Sequence, residues 1–566
     1  VSMHSYPVSK NKARFEEWRT TLDNEHVRSP CIPIDIPTET LLARTLRCLR
    51  EHAALHPSRP AVIDGFDQDR FFTYQQTHDK ALSVASFLQS RGFGVGDRAM
   101  TVLPNCIEIP LIHLGVWGAG GTFLGCSATY KHDDMVYQLK DSATSVVFTE
   151  ESLVESVLKA VEECPEVKLV VCIRSSSSPL PESVVDFQEA FQFPQMENVD
   201  LVTLDTHALL FYSSGTTGLP KGIIHTQRTC HYNAENMRSH FLHEVYPVLG
   251  VSDVDWYQDC HIITSGCFHL LGFGILSWCL ITGAQAIIMK QFDEVLYPEL
   301  VSQFKPRYLV LSPPIVAFFA KHHIGIAATL ESVQMILCCA APLSEEISDE
   351  FLVHHSNVKY VVQGFGLTET GSSNLPLLLR KGTDASSGVI ASGYEQKIVV
   401  SGTIPYTRGQ WGEVYTKGPG MAVGYHKSTN ATKQLVDDQG WFHTGDVGYF
   451  NEFGSLCIVD RMKELIKVNY GKSSLQVAPA QLEGVLLTCP AIRDVAVVGV
   501  PHEAGGELVR AFVVKEEQHL THSDVEQFIA DKLAPHNRIT GGVVFIEAIP
   551  RSPSGKILRR ELREIH

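Results

Sequence analysis

The chain has 566 residues, an apolar fraction of 44% and a charged fraction of 19%, which together exclude a disordered, coiled-coil or collagen-like protein. Its 47 Lys and Arg face 63 Asp and Glu, and a net charge of −16 argues against a general nucleic-acid binder, whose phosphate partner needs a basic surface. The 14 cysteines include no C-x-x-C pair, so neither a disulfide framework nor a zinc site is signalled and a reducing compartment fits.

From about residue 40, helical periods alternate with short β-branched strands. "LLARTLRCLREHAALHP" predicts a helix, "PAVIDG" a strand, "YQQTHDKALSVASFLQSRG" a helix with a glycine stop, "DRAMTVLP" a strand and "NCIEIPLIHLGVWGAGG" a helix. The cycle continues through "ATSVVFT", "VKLVVCI", "HALLFYSS", "RYLVLSP" and "VQMILCCA", which predicts layered α/β sheets with sites at strand ends. The run from Cys267 to Met289 is long and apolar enough for a membrane span. Interrupted by His269, Gln285 and glycines, it predicts instead a buried helix ending near Leu280, a turn and the strand "QAIIM".

After about residue 390 the pattern changes to "KIVVSG", "GEVYTKG" and "GSLCIVD", short strands with glycine turns that predict a small antiparallel or β-barrel-like subdomain over 390–459. Beyond "VDRMKELIK" comes an α+β unit: helical "APAQLEGVLLTCP", strands "IRDVAVVGVP" and "LVRAFVVK", a helix "SDVEQFIADKLA" with a Ser/Asp start, and a basic tail "SGKILRREL". No basic-then-apolar leader opens the chain, and the closing "REIH" shows no peroxisomal or retention tripeptide. The expected location is intracellular, cytoplasmic or peroxisomal.

The stretch "FYSSGTTGLPKGIIHT" at 211–226 has the makings of a phosphate grip without the Walker spacing: its lysine is followed by Gly222, not by Ser or Thr. It offers hydroxyls from Ser213, Ser214, Thr216 and Thr217, backbone amides freed by Gly215 and Gly218, and the cation of Lys221. A solvated surface turn is the competing reading. In "QGFGLTET" at 363–370, Gly364 and Gly366 let backbone approach a ligand, Phe365 offers a ring face, Thr368 a hydroxyl and Glu369 a carboxylate suited to Mg2+. Asp446 in "HTGDVG" can accept both hydroxyls of a ribose, and Arg461 in "VDRMK" can donate to them or to a phosphate.

In their order, "SSGTTGLPKG", "CAAPL", "QGFGLTET", "GEVYTKGPGMAVGY", "GWFHTGD", "DRMKELIK" and "PRSPSGKILRREL" resemble the adenylate-forming superfamily, near its 4-coumarate-CoA ligase and fatty acyl-CoA ligase branch. The resemblance runs from about residue 40 to the end. It implies a two-step reaction, in which a carboxylate attacks the α-phosphate of MgATP to give an acyl-adenylate and the thiol of coenzyme A then displaces AMP. It also implies the architecture: a large N-terminal domain of layered α/β sheets with its β-barrel-like subdomain (1–459), a hinge (460–463) and a small mobile α+β C-terminal domain (464–566).

Carried over residue by residue, Lys556 bridges carboxylate and α-phosphate, Ser213 to Gly218 and Lys221 grip the outer phosphates, Thr368 touches the α-phosphate and Glu369 binds magnesium. Ala340, Ala341 and Pro342 sandwich the adenine against Gly364, Phe365 and Gly366, while Asp446 and Arg461 hold the ribose. Gln363, Leu367, Lys463 and Lys467 complete the nucleotide set. His269 in "CFHLLGFG" matches the family histidine beside the substrate carboxylate, although a histidine on an apolar face is often only core. Leu271, Ile275, Cys338 and Cys339 fall on the acyl pocket, whose apolar character favours a medium or long aliphatic acid over an aromatic one.

Three departures stand out. Gly266 replaces the usual proline ahead of the histidine, Cys338 and Cys339 replace a small Ser-Gly pair, and "VNYGKSSL" is four residues longer than the family loop at the coenzyme A entrance. Gly471 and Lys472 are the nearest candidates for that entrance. Alternative readings are therefore an adenylating enzyme with an aromatic acid, one with a carrier-protein or oxygen acceptor, and a catalytically silent nucleotide-binding homologue. The expected partner is a small carboxylic acid, with no nucleic acid and no transmembrane segment; the sequence leaves oligomeric state open.

Overall fold

The computed structural model describes residues 14, 15, 18, 26–213, 220–251, 255–322, 327–378, 382–383, 386–400, 409–428, 432, 436–470, 473–502, 506–552 and 555–565. The first of its sheets has eight strands. Its centre is β1 (Thr122–Ser127), flanked by β2 (His207–Ser213) and then β3 (Lys221–Thr226), with Gly424–Tyr425 at that edge and four parallel strands on the other side. β2 and β3 form an antiparallel hairpin in which Ser213 pairs with Lys221. The hairpin thereby fixes both ends of the Gly/Ser/Thr stretch.

Helix α1 (Leu270–Thr282) packs on this sheet. Phe273 sits 6.3 Å from the Phe123 ring and 5.8 Å from those of Phe211 and Trp117. The apolar run flagged in the sequence is thus a 13-residue buried helix followed by the strand Gln285–Ile288, as expected, and no described helix is long and apolar enough to cross a membrane. The opposite side of α1 carries half-buried Leu271 and Ile275 and exposed Gly274.

Another parallel sheet contains Tyr308–Leu311, which leads into α2 (Pro313–Lys321), then β4 (Met335–Cys338), α3 (Glu345–His354) and β5 (Tyr360–Gln363). β6 (Phe365–Leu367) follows at once and starts a small antiparallel sheet. The region after 390 is antiparallel, as its glycine turns predict: Val27–Arg28, Glu395–Val399, Gly412–Lys417, β7 (Phe442–Phe450) and β8 (Leu456–Arg461) form five strands. Past it lie a hairpin, Ile466–Tyr470 with Ser473–Val477, then α4 (Pro479–Leu487) and a three-stranded sheet built on Ile492–Pro501 and Glu507–Lys515.

The later helix spans His522–Lys532 and is capped by Thr521, whose side chain accepts from Asp524 N in a capping box. It starts ahead of the Ser/Asp pair predicted to open it, because a threonine with an acidic residue three positions on supplies both reciprocal bonds. Asp460, at the end of β8, accepts from Ala480 N in the first turn of α4 at 3.0 Å and so ties this sheet to the C-terminal unit. Val447, Val459, Leu465 and Ala478 form an apolar cluster spanning the same junction.

The sheet and the segment before α1 are in unusually close contact. A Cβ on Gly125 of β1 would lie 2.4 Å from Phe268 Cα. Gly125→Ala is therefore expected to over-pack this contact and cost about 1–3 kcal/mol, read as a lower denaturation midpoint at unchanged m-value; an unaltered midpoint would show that the segment moves freely.

Candidate active site

The described strand ends converge on one cleft. At the β2–β3 hairpin, Ser213 Oγ donates to Glu369 Oε1 at 3.3 Å, and Tyr425 OH donates to the same oxygen at 2.8 Å. Lys221 Nζ lies 5.3 Å from the centre of the Tyr425 ring. Behind them, fully buried His225 of β3 approaches the Thr368 carbonyl with Nε2 at 2.7 Å. Burial pushes the His225 pKa down, so the ring is neutral and its Nε2–H is the donor. The turn carrying Thr368 and Glu369 is thereby fastened to the strand that closes the candidate phosphate grip. Sequence reasoning missed both His225 and Tyr425. The first sits in an apolar strand pattern and the second lies more than 50 residues from the carboxylate it meets.

His269 is the N-cap residue of α1, and its Nε2 is buried with no hydrogen-bond partner. Burial first, and the nearby Lys556 cation second, push its pKa down to about 4, so it is neutral at physiological pH. The segment leading to it is pinned by buried Asn105, whose amide donates to the Ser265 and Met289 carbonyls at 3.0 and 3.2 Å and accepts from Cys267 N at 2.8 Å. Asn105 follows a strand in the turn "LPN", where an asparagine is ordinarily read as turn chemistry. Gly266 leaves room for the Phe268 ring, which a Cβ there would meet at 2.2 Å. That contact accounts physically for the absence of proline at this position.

On the antiparallel side, the β7–β8 register sets Asp446 opposite Arg461, and Arg461 Nε meets Asp446 Oδ1 at 3.0 Å. Asp446 is 4% exposed, and its Oδ2 is buried without a partner. Burial raises its pKa to about 6 against the pull of Arg461 and Lys556. Asp460 is raised to about 6 in the same way, with Arg559 opposing.

Lys556 stands in the same cleft. A turn closed by Ser552 N to the Lys556 carbonyl at 2.8 Å, with Gly555 at φ 83°, presents it. Its amine interacts electrostatically with Asp446, Glu369, Arg461 and His269. The surrounding protein and then Arg461 push its pKa down, and water reaching the exposed side chain screens that shift.

The remaining predicted residues divide. Ala340, Ala341 and Pro342 are exposed in the loop after β4, with Ala340 at φ 78°, and Gly364, Phe365, Gly366 and Leu367 face the same region from β5–β6. The side chain of Gln363 is engaged within the protein. Its amide accepts from Leu343 N at 2.7 Å and donates to the Leu343 carbonyl at 3.1 Å, so it shapes the alanine loop instead. Cys338 is fully buried and Cys339 half-buried, and burial drives both thiol pKa values up, that of Cys339 to about 12, so both are neutral packing groups. Lys463 and Lys467 are exposed beyond β8. Ser214, Gly215, Thr216, Thr217 and Gly218 lie outside the described residues, as do Gly471 and Lys472.

The orphaned Oδ2 of Asp446 is an acceptor suited to a ligand hydroxyl, and the cations Lys221, Arg461 and Lys556 suit phosphates. Among the described residues, no three His, Cys, Asp or Glu side chains gather as a metal cage. A single carboxylate, Glu369, fits a Mg2+ ion carried mainly by nucleotide phosphates.

Comparison with known proteins adds independent information. The AMP-binding enzyme family matches residues 49–426, and the AMP-binding enzyme C-terminal domain matches 481–556. 4-Coumarate–CoA ligase 1 of Arabidopsis thaliana is 33% identical over 528 residues, 89% of this chain and 90% of its own length. 4-Coumarate–CoA ligase of Vanilla planifolia is 32% identical, covering 91% and 92%. Among solved structures, a benzoate CoA ligase from Burkholderia xenovorans superimposes with a TM-score of 0.77 at 23% identity, over 93% of this chain and all of that one. An anthranilate CoA ligase in complex with anthranoyl-AMP gives 0.79 at 21% identity, over 92% and 96%. These likenesses establish the fold: a large N-terminal and a smaller C-terminal domain of mixed α/β type.

The raised pKa of Asp446 has a definite sign. The group favours the folded state fully below its ordinary value near 3.8, and that contribution is lost as pH rises through about 6. Asp446→Asn is expected to gain stability relative to the parent between pH 4 and pH 7, measured by denaturant unfolding at both. A difference that stays constant across the window would contradict the burial argument.

Proposed function

The chain belongs to the AMP-binding enzyme family, and from that premise we propose that it is an ATP-dependent acid–CoA ligase that activates an aromatic carboxylic acid as its adenylate. The observation that carries the substrate class is the 33% identity to a 4-coumarate–CoA ligase over nine-tenths of both chains. The aliphatic acid expected from apolar Leu271 and Ile275 is the second reading. Those side chains pack as well against an aryl ring, and exposed Gly274, with nothing within 4 Å of where its Cβ would be, leaves room beside them. The 14 cysteines are all free thiols, which supports a reducing intracellular compartment.

In the proposed first step the acid's carboxylate oxygen attacks the α-phosphorus of ATP, the bond to the bridging oxygen breaks and pyrophosphate leaves. Two anions must meet, so catalysis rests on positioning and on cations fixed where charge builds up. Lys556 takes that role at the junction of carboxylate and α-phosphate. Asp446, through its open Oδ2, accepts the ribose hydroxyls, and Arg461 holds Asp446 in place. Thr368 contacts the α-phosphate, and Lys221 and Ser213 hold the outer phosphates, while Glu369 would hold a Mg2+ ion that would supply neutralising positive charge there. Neutral His269 hydrogen-bonds the incoming acid without adding charge. In the second step the thiol sulfur of coenzyme A attacks the acyl carbon and AMP departs.

For that step the C-terminal unit turns about residues 460–463, opening the Asp460–Ala480 bond. Lys467 then faces the acceptor.

A panel of cinnamate-type, benzoate-type and medium-chain acids, scored by pyrophosphate release with and without coenzyme A, tests the reading. A cinnamate-type acid is expected to have the highest kcat/KM, with AMP release dependent on coenzyme A. A preference for alkyl chains would favour the second reading, and AMP release indifferent to coenzyme A would exclude it as acceptor. Lys556→Ala is expected to lower acid-dependent pyrophosphate release by about 10²–10³-fold, while leaving transfer from supplied acyl-adenylate nearly intact. Equal loss in both steps would deny Lys556 this role.

A further inference from the structure

Helix α4 carries a glycine in its interior. Gly484 is buried, and a mid-helix glycine costs roughly 1 kcal/mol relative to alanine, so a helix keeps one where something else needs the space. The space is taken by Ser344. A Cβ at Gly484 would lie 2.4 Å from Ser344 Cβ and 3.0 Å from Ser344 Oγ, but 3.8 Å from Ser344 Cα, an ordinary contact. The conflict is therefore between two side-chain positions and not between backbones.

Ser344 has a fixed address. It is the N-cap of α3, accepting from Ile347 N at 3.3 Å, and it directly follows Leu343, the residue that Gln363 clamps through both backbone atoms. The loop just before it holds Ala340, Ala341 and Pro342. Two further contacts seat the same helix and its neighbour on the large domain. Leu487, one turn after Gly484, packs against the core containing Leu343 and Ile347, and Lys321 Nζ at the end of α2 donates to the Ile492 carbonyl at 2.5 Å. Lys556 is in the cleft in this same arrangement.

We propose that Gly484 is a docking notch: lacking a side chain, it lets α4 seat on Ser344, and that contact sets how closely the small domain brings Lys556 to the nucleotide. Gly484 and Ser344 are positioning residues, since neither touches the reacting atoms. The docked arrangement is the one that serves adenylation, an assignment that rests on the ligase reading above. Because Ser344 adjoins the alanine loop, whatever displaces the helix from it also disturbs the wall against which adenine stacks.

The test is a double-mutant cycle read in two half-reactions. Gly484→Ala is expected to slow acid-dependent pyrophosphate exchange about tenfold, the scale of an over-packed contact, with transfer from supplied acyl-adenylate to coenzyme A changed by less than about twofold. Thermal stability is expected to change little, because the better helix propensity of alanine offsets much of the lost docking contact. Ser344→Gly alone is expected to slow exchange less than Gly484→Ala does, since glycine is a tolerable N-cap and the change loosens the contact without bringing atoms into conflict. The double variant is expected to recover most of the lost exchange, having removed the atoms that conflict.

Hydrogen–deuterium exchange of the segment 340–347 gives a readout independent of catalysis. It is expected to quicken in Gly484→Ala and return to the parental rate in the double variant. A parent lacking pyrophosphate exchange with every acid, yet showing this deuterium pattern, would fault the ligase reading and uphold the notch. Unchanged deuterium uptake in Gly484→Ala, equal loss in both half-reactions, or a double variant no better than Gly484→Ala would overturn it.

Discussion

The cleft depends on one ion pair. Asp446 and Arg461 stand opposite each other because β7 and β8 are in that register, and the pair survives burial only because the guanidinium is close enough to offset part of the desolvation cost. Arg461 satisfies one carboxylate oxygen and leaves the other buried and unpaired. A buried acceptor of that kind is costly while unpaired and strengthens markedly when a ligand hydroxyl meets it. The neighbouring Asp460, on the paired strand β8, uses its carboxylate differently, on the amides of Arg461 and Ala480, so two acids on adjacent strands diverge, one keeping an unpaired oxygen and the other tying the domain junction.

Much of this was legible in the sequence where physics is local. Alternating helix and strand periods announced the parallel sheets, glycine turns announced the antiparallel ones, and the apolar run from Cys267 was read correctly as helix and strand because His269, Gln285 and glycines break it. Asp446, Arg461 and Glu369 were read from their stretches, Lys556 and His269 only from the family resemblance, and the structure gathers all five into one cleft. Local pattern failed where a residue's partner is far along the chain. His225 looked like one more residue of a buried strand, yet its ring holds the Thr368 carbonyl 143 residues away. Gln363 was placed in the nucleotide set by the family resemblance, and its amide bonds to both backbone atoms of Leu343 were not legible from the stretch around it. The Gly484 contact spans the two domains, and nothing near "QLEGVLL" hints at it.

The cleft is electrically lopsided, and this bears on how an acid would lie in it. Where a nucleotide would sit, ionised groups from three elements converge. Among the described residues proposed for the acyl pocket, the titratable ones are uncharged: His269 is held neutral by burial and by Lys556, and the thiols of Cys338 and Cys339 are driven far from ionisation. An amphipathic acid entering such a field has one favourable orientation, carboxylate toward Lys556 and body along Leu271, Gly274 and Ile275. The neutrality of His269 is what makes the arrangement work. A charged imidazolium there would compete with Lys556 for the carboxylate and hold the substrate in its ground state, whereas a neutral ring can orient the acid and leave the stabilisation of developing charge to the lysine. The lysine's own cation adds to burial in depressing the His269 pKa, so under the proposed mechanism the placement of the small domain would tune the charge of this histidine as well as deliver the lysine.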